Sequence, residues 1–88
     1  MEARLYKIRG SVQGVGFRNF VQKAACELKI TGWAKNLADG CVEVHAQGSS
    51  AAMRQLEGSL WKGPRWAEVR GVETLVAAAV KAEGFQIK

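Results

Sequence analysis

The stretch Leu5-Tyr6-Lys7-Ile8-Arg9-Gly10-Ser11-Val12-Gln13-Gly14-Val15-Gly16-Phe17-Arg18 changes its pattern twice. Leu5, Tyr6 and Ile8 alternate with Lys7 and Arg9, which predicts a strand ending at Gly10. Gly10, Gly14 and Gly16 then break the apolar pattern and free the backbone for tight or left-handed turns. From Phe17 the apolar residues fall at Phe17, Phe20, Val21, Ala24, Ala25 and Leu28. Those spacings line one face of a helix running from Phe17 to Leu28. A glycine-rich turn feeding a helix N-terminus aims several backbone N–H groups at one spot, and that spot attracts anions, phosphate above all. Arg18 adds a planar charged fork suited to two phosphate oxygens. Most such turns, however, join a strand to a helix without binding anything. A dinucleotide G-x-G-x-x-G would need glycine where Asn19 stands, and a Walker A loop would need Gly-Lys-Ser/Thr where the chain reads Gly16-Phe17-Arg18. These residues alone leave a phosphate cradle and a plain turn both open.

Beyond the helix, Ile30-Thr31-Gly32-Trp33-Ala34 restarts as a strand running to about Leu37. Ala38-Asp39-Gly40 turns it back, Asp-Gly being a strong hairpin signal. Val42, Val44 and Ala46 alternate with Glu43 and His45 in the return strand, which places His45 on the solvent side. Gly48-Ser49-Ser50 ends that strand, and either serine can cap a second helix. Ala52, Met53, Leu56 and Leu60 form its apolar face, and Gly63-Pro64 stops it. Trp66, Ala67, Val69, Val72 and Leu75 suggest a further strand whose phase slips at Gly71, as at a bulge. Leu75 to Glu83 fits a strand extension, a turn of helix or a covered loop. Gly84-Phe85-Gln86-Ile87 reads as a short last strand. The order strand, helix, strand, strand, helix, strand is the split β-α-β pattern of ferredoxin-like α+β folds. It predicts an antiparallel sheet with two helices on one face.

Composition narrows the class. The 88 residues make one domain, residues 1–88, and 48% hydrophobic content with three tryptophans implies a folded core. Thirteen basic against eight acidic residues give a net charge of +5, which suits an anionic small molecule and nucleic acid equally. Trp33, Trp61 and Trp66 are explained by packing and partial exposure. No signal segment opens the chain, and the apolar run Leu75 to Val80 is too short to span a membrane. Cys26, Cys41 and His45 do not have zinc-ligand spacing, so no metal site or cofactor is expected. Two reduced thiols in a cytoplasmic protein are expected.

A second constellation joins the first. Val12-Gln13-Gly14-Val15-Gly16-Phe17-Arg18, together with Gly32-Trp33-Ala34-Lys35-Asn36-Leu37-Ala38-Asp39-Gly40-Cys41-Val42-Glu43, closely resembles the two signatures of the acylphosphatase family. Gly63-Pro64, Ala67-x-Val69 and Phe85-x-Ile87 resemble that family's later pattern, so the resemblance covers essentially the whole chain. It implies a ferredoxin-like sandwich that hydrolyses the carboxyl–phosphate bond of small acyl phosphates, with inorganic phosphate as a product. It also implies a phosphate loop at Gln13, Gly14, Val15, Gly16 and Phe17, a phosphate-binding Arg18 and a water-positioning Asn36. On its own residues, Asn36 beside a hairpin is equally a turn residue. The run Leu75 to Val80 has no counterpart in the family pattern.

The residue types suit that chemistry. The carboxylate leaving group needs little acid catalysis, and phosphoryl transfer is mainly positioning and electrostatics. Loop N–H groups and Arg18 can neutralise the phosphoryl oxygens while Asn36 orients a water in line. No nucleophile paired with a base is legible, which favours direct attack by water over a covalent intermediate. The rival reading is a nucleic-acid-binding ferredoxin-like module. It needs base-stacking aromatics on a central strand, and Val42 to Ala46 carries none. A carbamoyl-phosphate-handling segment, like that in hydrogenase-maturation carbamoyltransferases, is a second alternative, against which the length argues for a free-standing enzyme. A monomer that binds neither nucleic acid nor membrane is expected.

Overall fold

The computed structural model describes residues 1–88. The chain forms β1 (Glu2–Ser11), α1 (Phe17–Glu27), β2 (Thr31–Asn36), β3 (Val42–Gly48), α2 (Ser50–Lys62), β4 (Glu68–Val76) and β5 (Phe85–Ile87). The sheet order is β4-β1-β3-β2-β5. The first four strands pair antiparallel, as their order implies. The fifth departs from that pattern: β5 lies parallel to β2, so the complete sheet is mixed.

Alternation in the strands decides which face is dry. Tyr6 and Ile8 of β1, Val42, Val44 and Ala46 of β3 and Ala34 of β2 are buried on one face. Phe17, Val21 and Ala25 of α1 and Ala52, Met53, Leu56 and Leu60 of α2 pack with them into one core. Each helix places its apolar residues three or four positions apart, so one stripe meets the sheet and the rest stays wet. Ser49 caps α2, its hydroxyl accepting from the Ala52 N–H at 3.1 Å, and Gly63 ends the helix. Tyr6 reaches through the core edge and donates its hydroxyl to the half-buried Glu57 carboxylate at 2.8 Å. No helix is long and apolar enough to cross a membrane.

The phase slip near Gly71 is a bulge. Arg9 pairs with Gly71 and Gly10 with Val69, leaving Arg70 as the extra residue on β4. β4 begins at Glu68, so Trp66 stays outside the sheet and is 75% exposed. Leu75 and Val76 extend β4, and the chain that follows crosses the sheet face opposite the helices. There Gln47 donates to the Val80 carbonyl at 2.6 Å and accepts from the Val80 N–H at 2.9 Å. His45 Nε2 lies 3.1 Å from the Ala78 carbonyl. His45 is therefore on the strand face expected, but it is not in solvent: this strap and a stacked Trp33 ring, 4.4 Å away, leave it 4% exposed.

Candidate active site

Strand order brings the two sequence motifs together. β1 and β2 each run antiparallel to β3, so they are parallel to each other and their C-terminal ends share one edge of the sheet. Val42 pairs with Ile8 on one side and Asn36 on the other. Asn36 therefore sits two strand spacings, roughly 10 Å, from Ile8 and at the same level. The loop that leaves β1 need only fold sideways over β3 to reach it.

The loop does so through two left-handed glycines. Gly14 has φ 75° and Gly16 φ 78°, a conformation that costs an L-residue about 1–2 kcal/mol. A side chain at either position would meet open space, so conformation rather than crowding sets the need for glycine. Gly16 is the N-cap of α1 and provides no side-chain cap, and the first helical turn carries no acidic residue. The backbone N–H groups of Gln13 through Asn19 donate to no oxygen of the protein. Uncapped helix-start N–H groups and successive loop N–H groups in one concave turn form an anion seat.

Gly14, Gly16, Phe17 and Arg18 line a cleft of about 220 Å³, with Asn36 and Ile87 on its other wall. Arg18 is the only fully charged side chain on that wall. One of its guanidinium nitrogens donates to the Lys88 backbone oxygen at 2.9 Å, which holds the fork at the cleft and leaves its other donors free. Asn36 is exposed at the end of β2 on the cleft wall, and its side-chain amide makes no hydrogen bond within the protein, so its donor and acceptor are both available to a ligand. Of the loop residues expected from the sequence, Gln13 and Val15 do not line the cleft. Val15 packs against the core. The Gln13 side-chain amide nitrogen instead donates to the Leu37 and Cys41 carbonyls at 2.7 and 2.9 Å, so both of its side-chain N–H donors are engaged within the protein.

Three wall residues escaped the sequence reading. Asn19, next to Arg18, presents a second amide, and Val12 forms the buried floor. Ile87 arrives only because β5 pairs with β2, a tertiary event that a three-residue strand does not announce. Away from the cleft, Asp39 in the hairpin pairs with Lys7 at 2.8 Å and accepts from the Cys41 N–H at 3.0 Å. The Lys7 ammonium, then that N–H, draws the Asp39 pKa down to about 2. Burial, then the Asp39 carboxylate, pushes the Cys41 thiol up. Cys41 is thus a poor thiolate, and Cys26 lies exposed on α1 as a second free thiol. No three His, Cys, Asp or Glu side chains come together as a metal-ligand cluster.

The acylphosphatase family model matches residues 5–87. An acylphosphatase of Solibacter usitatus is 49% identical over 87 residues, covering 99% of this chain and 91% of that protein. The crystal structure of acylphosphatase from Bacillus subtilis superposes with a TM-score of 0.95 at 32% identity, covering 100% of this chain and 99% of that one. An acylphosphatase structure from Coxiella burnetii gives a TM-score of 0.94 at 37% identity, covering 99% of this chain and 92% of that one.

Proposed function

The chain belongs to the acylphosphatase family, and from that premise we propose that it hydrolyses the carboxyl–phosphate bond of acyl phosphates. One observation carries the reading: Gly14, Gly16, Phe17 and Asn19 of a turn whose backbone N–H groups have no partner in the protein, the Arg18 fork and the free Asn36 amide line one cleft. A phosphoryl group held there has donors on its equatorial oxygens and an amide beside it that can accept from one water and donate to an oxygen. The water oxygen bonds to phosphorus as the bond to the acyl oxygen breaks. The carboxylate leaves with the electron pair, and the water's proton passes to a phosphate oxygen or to solvent. In this reading Arg18 and the loop N–H groups carry the developing charge, Asn36 aims the water, and neither a metal nor a covalent intermediate is needed.

We read residues 1–88 as a single domain, supported by its one core, and as a monomer, supported by a cleft built within one chain. A reducing, cytoplasmic setting fits the two unpaired thiols. The test is hydrolysis of benzoyl phosphate by the purified protein in EDTA, beside folded Arg18→Ala. Turnover that survives EDTA and is lost in the variant is the expected result. No turnover by the folded native chain, or full turnover by the variant, would overturn the assignment.

A further inference from the structure

Gln13 has the wrong side-chain direction for a phosphate ligand and the right one for a clamp. Its amide nitrogen donates one hydrogen to the Leu37 carbonyl at 2.7 Å and the other to the Cys41 carbonyl at 2.9 Å. Those carbonyls belong to the turn between β2 and β3. The Cys41 oxygen also accepts from the Leu37 N–H at 2.8 Å, and the Leu37 oxygen also accepts from the Gly40 N–H at 3.2 Å. Gln13 therefore completes the acceptor sites of both carbonyls that close the hairpin. Leu37 is the residue next to Asn36, and Gln13 is the residue next to Gly14. The clamp consequently joins the two halves of the cleft at their bases, across the intervening strand β3.

We propose that Gln13 is a positioning residue that acts through Asn36: it fixes the hairpin against the loop, and so sets the distance between the phosphoryl seat and the attacking water. The inference rests on the hydrolytic reading of the cleft. Its physical ground is that both halves end in chain with few other ties across the gap. The loop N–H groups reach no acceptor in the hairpin, and Asn36 is held from the sheet side, by its pairing with Val42, so the two Gln13 bonds are the direct hydrogen-bonded link between loop and hairpin. A glutamine spanning the gap with two bonds restricts translation and twist together, which one bond would not. Displacement of the water by about 1 Å can cost as much as 10²-fold in rate. The phosphate seat itself belongs to the loop and the start of α1, and it stays intact when the clamp is released.

The experiment separates binding from turnover. Gln13→Met keeps length and removes both donors, and Gln13→Asn is a second variant whose amide is one carbon too short to reach both carbonyls. In folded variants, checked by thermal melts, kcat for benzoyl phosphate should fall about 10- to 100-fold. The inhibition constant of inorganic phosphate should stay within about 2-fold of native, because the seat is unchanged. In an Asn36→Ala background the same substitution should cost less than about 3-fold, since the group it positions is gone. Unchanged kcat, or phosphate affinity falling in step with kcat, would overturn the proposal. So would an undiminished penalty in the Asn36→Ala background; where that background's turnover is below detection, the split between kcat and phosphate affinity decides. Failure of the hydrolytic reading would show separately, as a native chain without turnover.

Discussion

In the proposed reaction, Arg18 and Asn36 divide the chemistry of the cleft by what their side chains can offer. Arg18 brings a permanent charge and a fixed fork, already steadied by the Lys88 backbone oxygen. Asn36 brings a neutral amide that can donate and accept at once. Arg18→Lys should therefore lower both phosphate affinity and kcat, with kcat down by about 10²-fold or more, because a point charge does not reproduce two directed bonds. Steady-state kinetics with phosphate as competitor would show it; a lysine variant near native activity would deny the fork its role. Asn36→Ala should lower kcat about as much while leaving phosphate inhibition nearly unchanged, and a large loss of phosphate affinity would instead make Asn36 a ligand of the seat. Arg18 stood out in the sequence as a permanent charge at a helix start, whereas Asn36, on its own residues equally a turn residue, was singled out only by the family resemblance. The bonding of the Gln13 amide to the hairpin was not legible, because nothing in a loop sequence says whether an amide turns inward to a neighbouring hairpin or outward to a ligand.

The β2–β3 hairpin is the element on which Asn36 depends, and Asp39 is its electrostatic pin. Its carboxylate, drawn down to about 2 by Lys7 and the Cys41 N–H, binds a proton less readily in the folded chain than in the unfolded one. Its contribution is therefore fully present above the unfolded value of about 4 and is lost as the pH falls through about 2. The melting temperatures of native protein and Asp39→Asn should differ slightly at pH 5, the native chain being the more stable. The gap should close towards pH 2, and a gap that stays constant over that range would mean the carboxylate's charge is not what matters. The pair is solvent-exposed, so the effect is small. The hairpin's place in the sequence was plain from Asp39-Gly40. The strap after Val76 was not, because His45 and Gln47 hold it by its backbone groups at Ala78 and Val80. A pattern of side chains carries no trace of such bonds.

Across the whole molecule the two sheet faces do different work. The helix face is dry and closes over Leu56 and Leu60, each 0% exposed. On the other face Glu73, Lys7, Glu43 and Lys35 stand in one row across β4, β1, β3 and β2, and opposite charges alternate along it. Leu60→Ala should cost about 2–5 kcal/mol, and each kcal/mol should lower Tm by about 4–8 °C in a domain of this size. Turnover well below the new Tm should be retained, since Leu60 does not line the cleft; calorimetry and an assay at low temperature would check both. The layering and the order of the first six elements followed from apolar periodicity, which reports directly on burial. The parallel pairing of β5 did not, because three residues carry too little alternation to specify a partner, and with it went Ile87 and the backbone oxygen that steadies Arg18.

In the proposed reaction, water attacks phosphorus within the loop's anion seat. A single turnover of benzoyl phosphate in water enriched in the heavy oxygen isotope, with mass spectrometry of both products, tests it most directly. Attack at phosphorus puts the label in inorganic phosphate and leaves benzoate unlabelled. Label in benzoate would mean attack at the acyl carbon, and the phosphate seat would then hold the leaving group rather than the reacting centre.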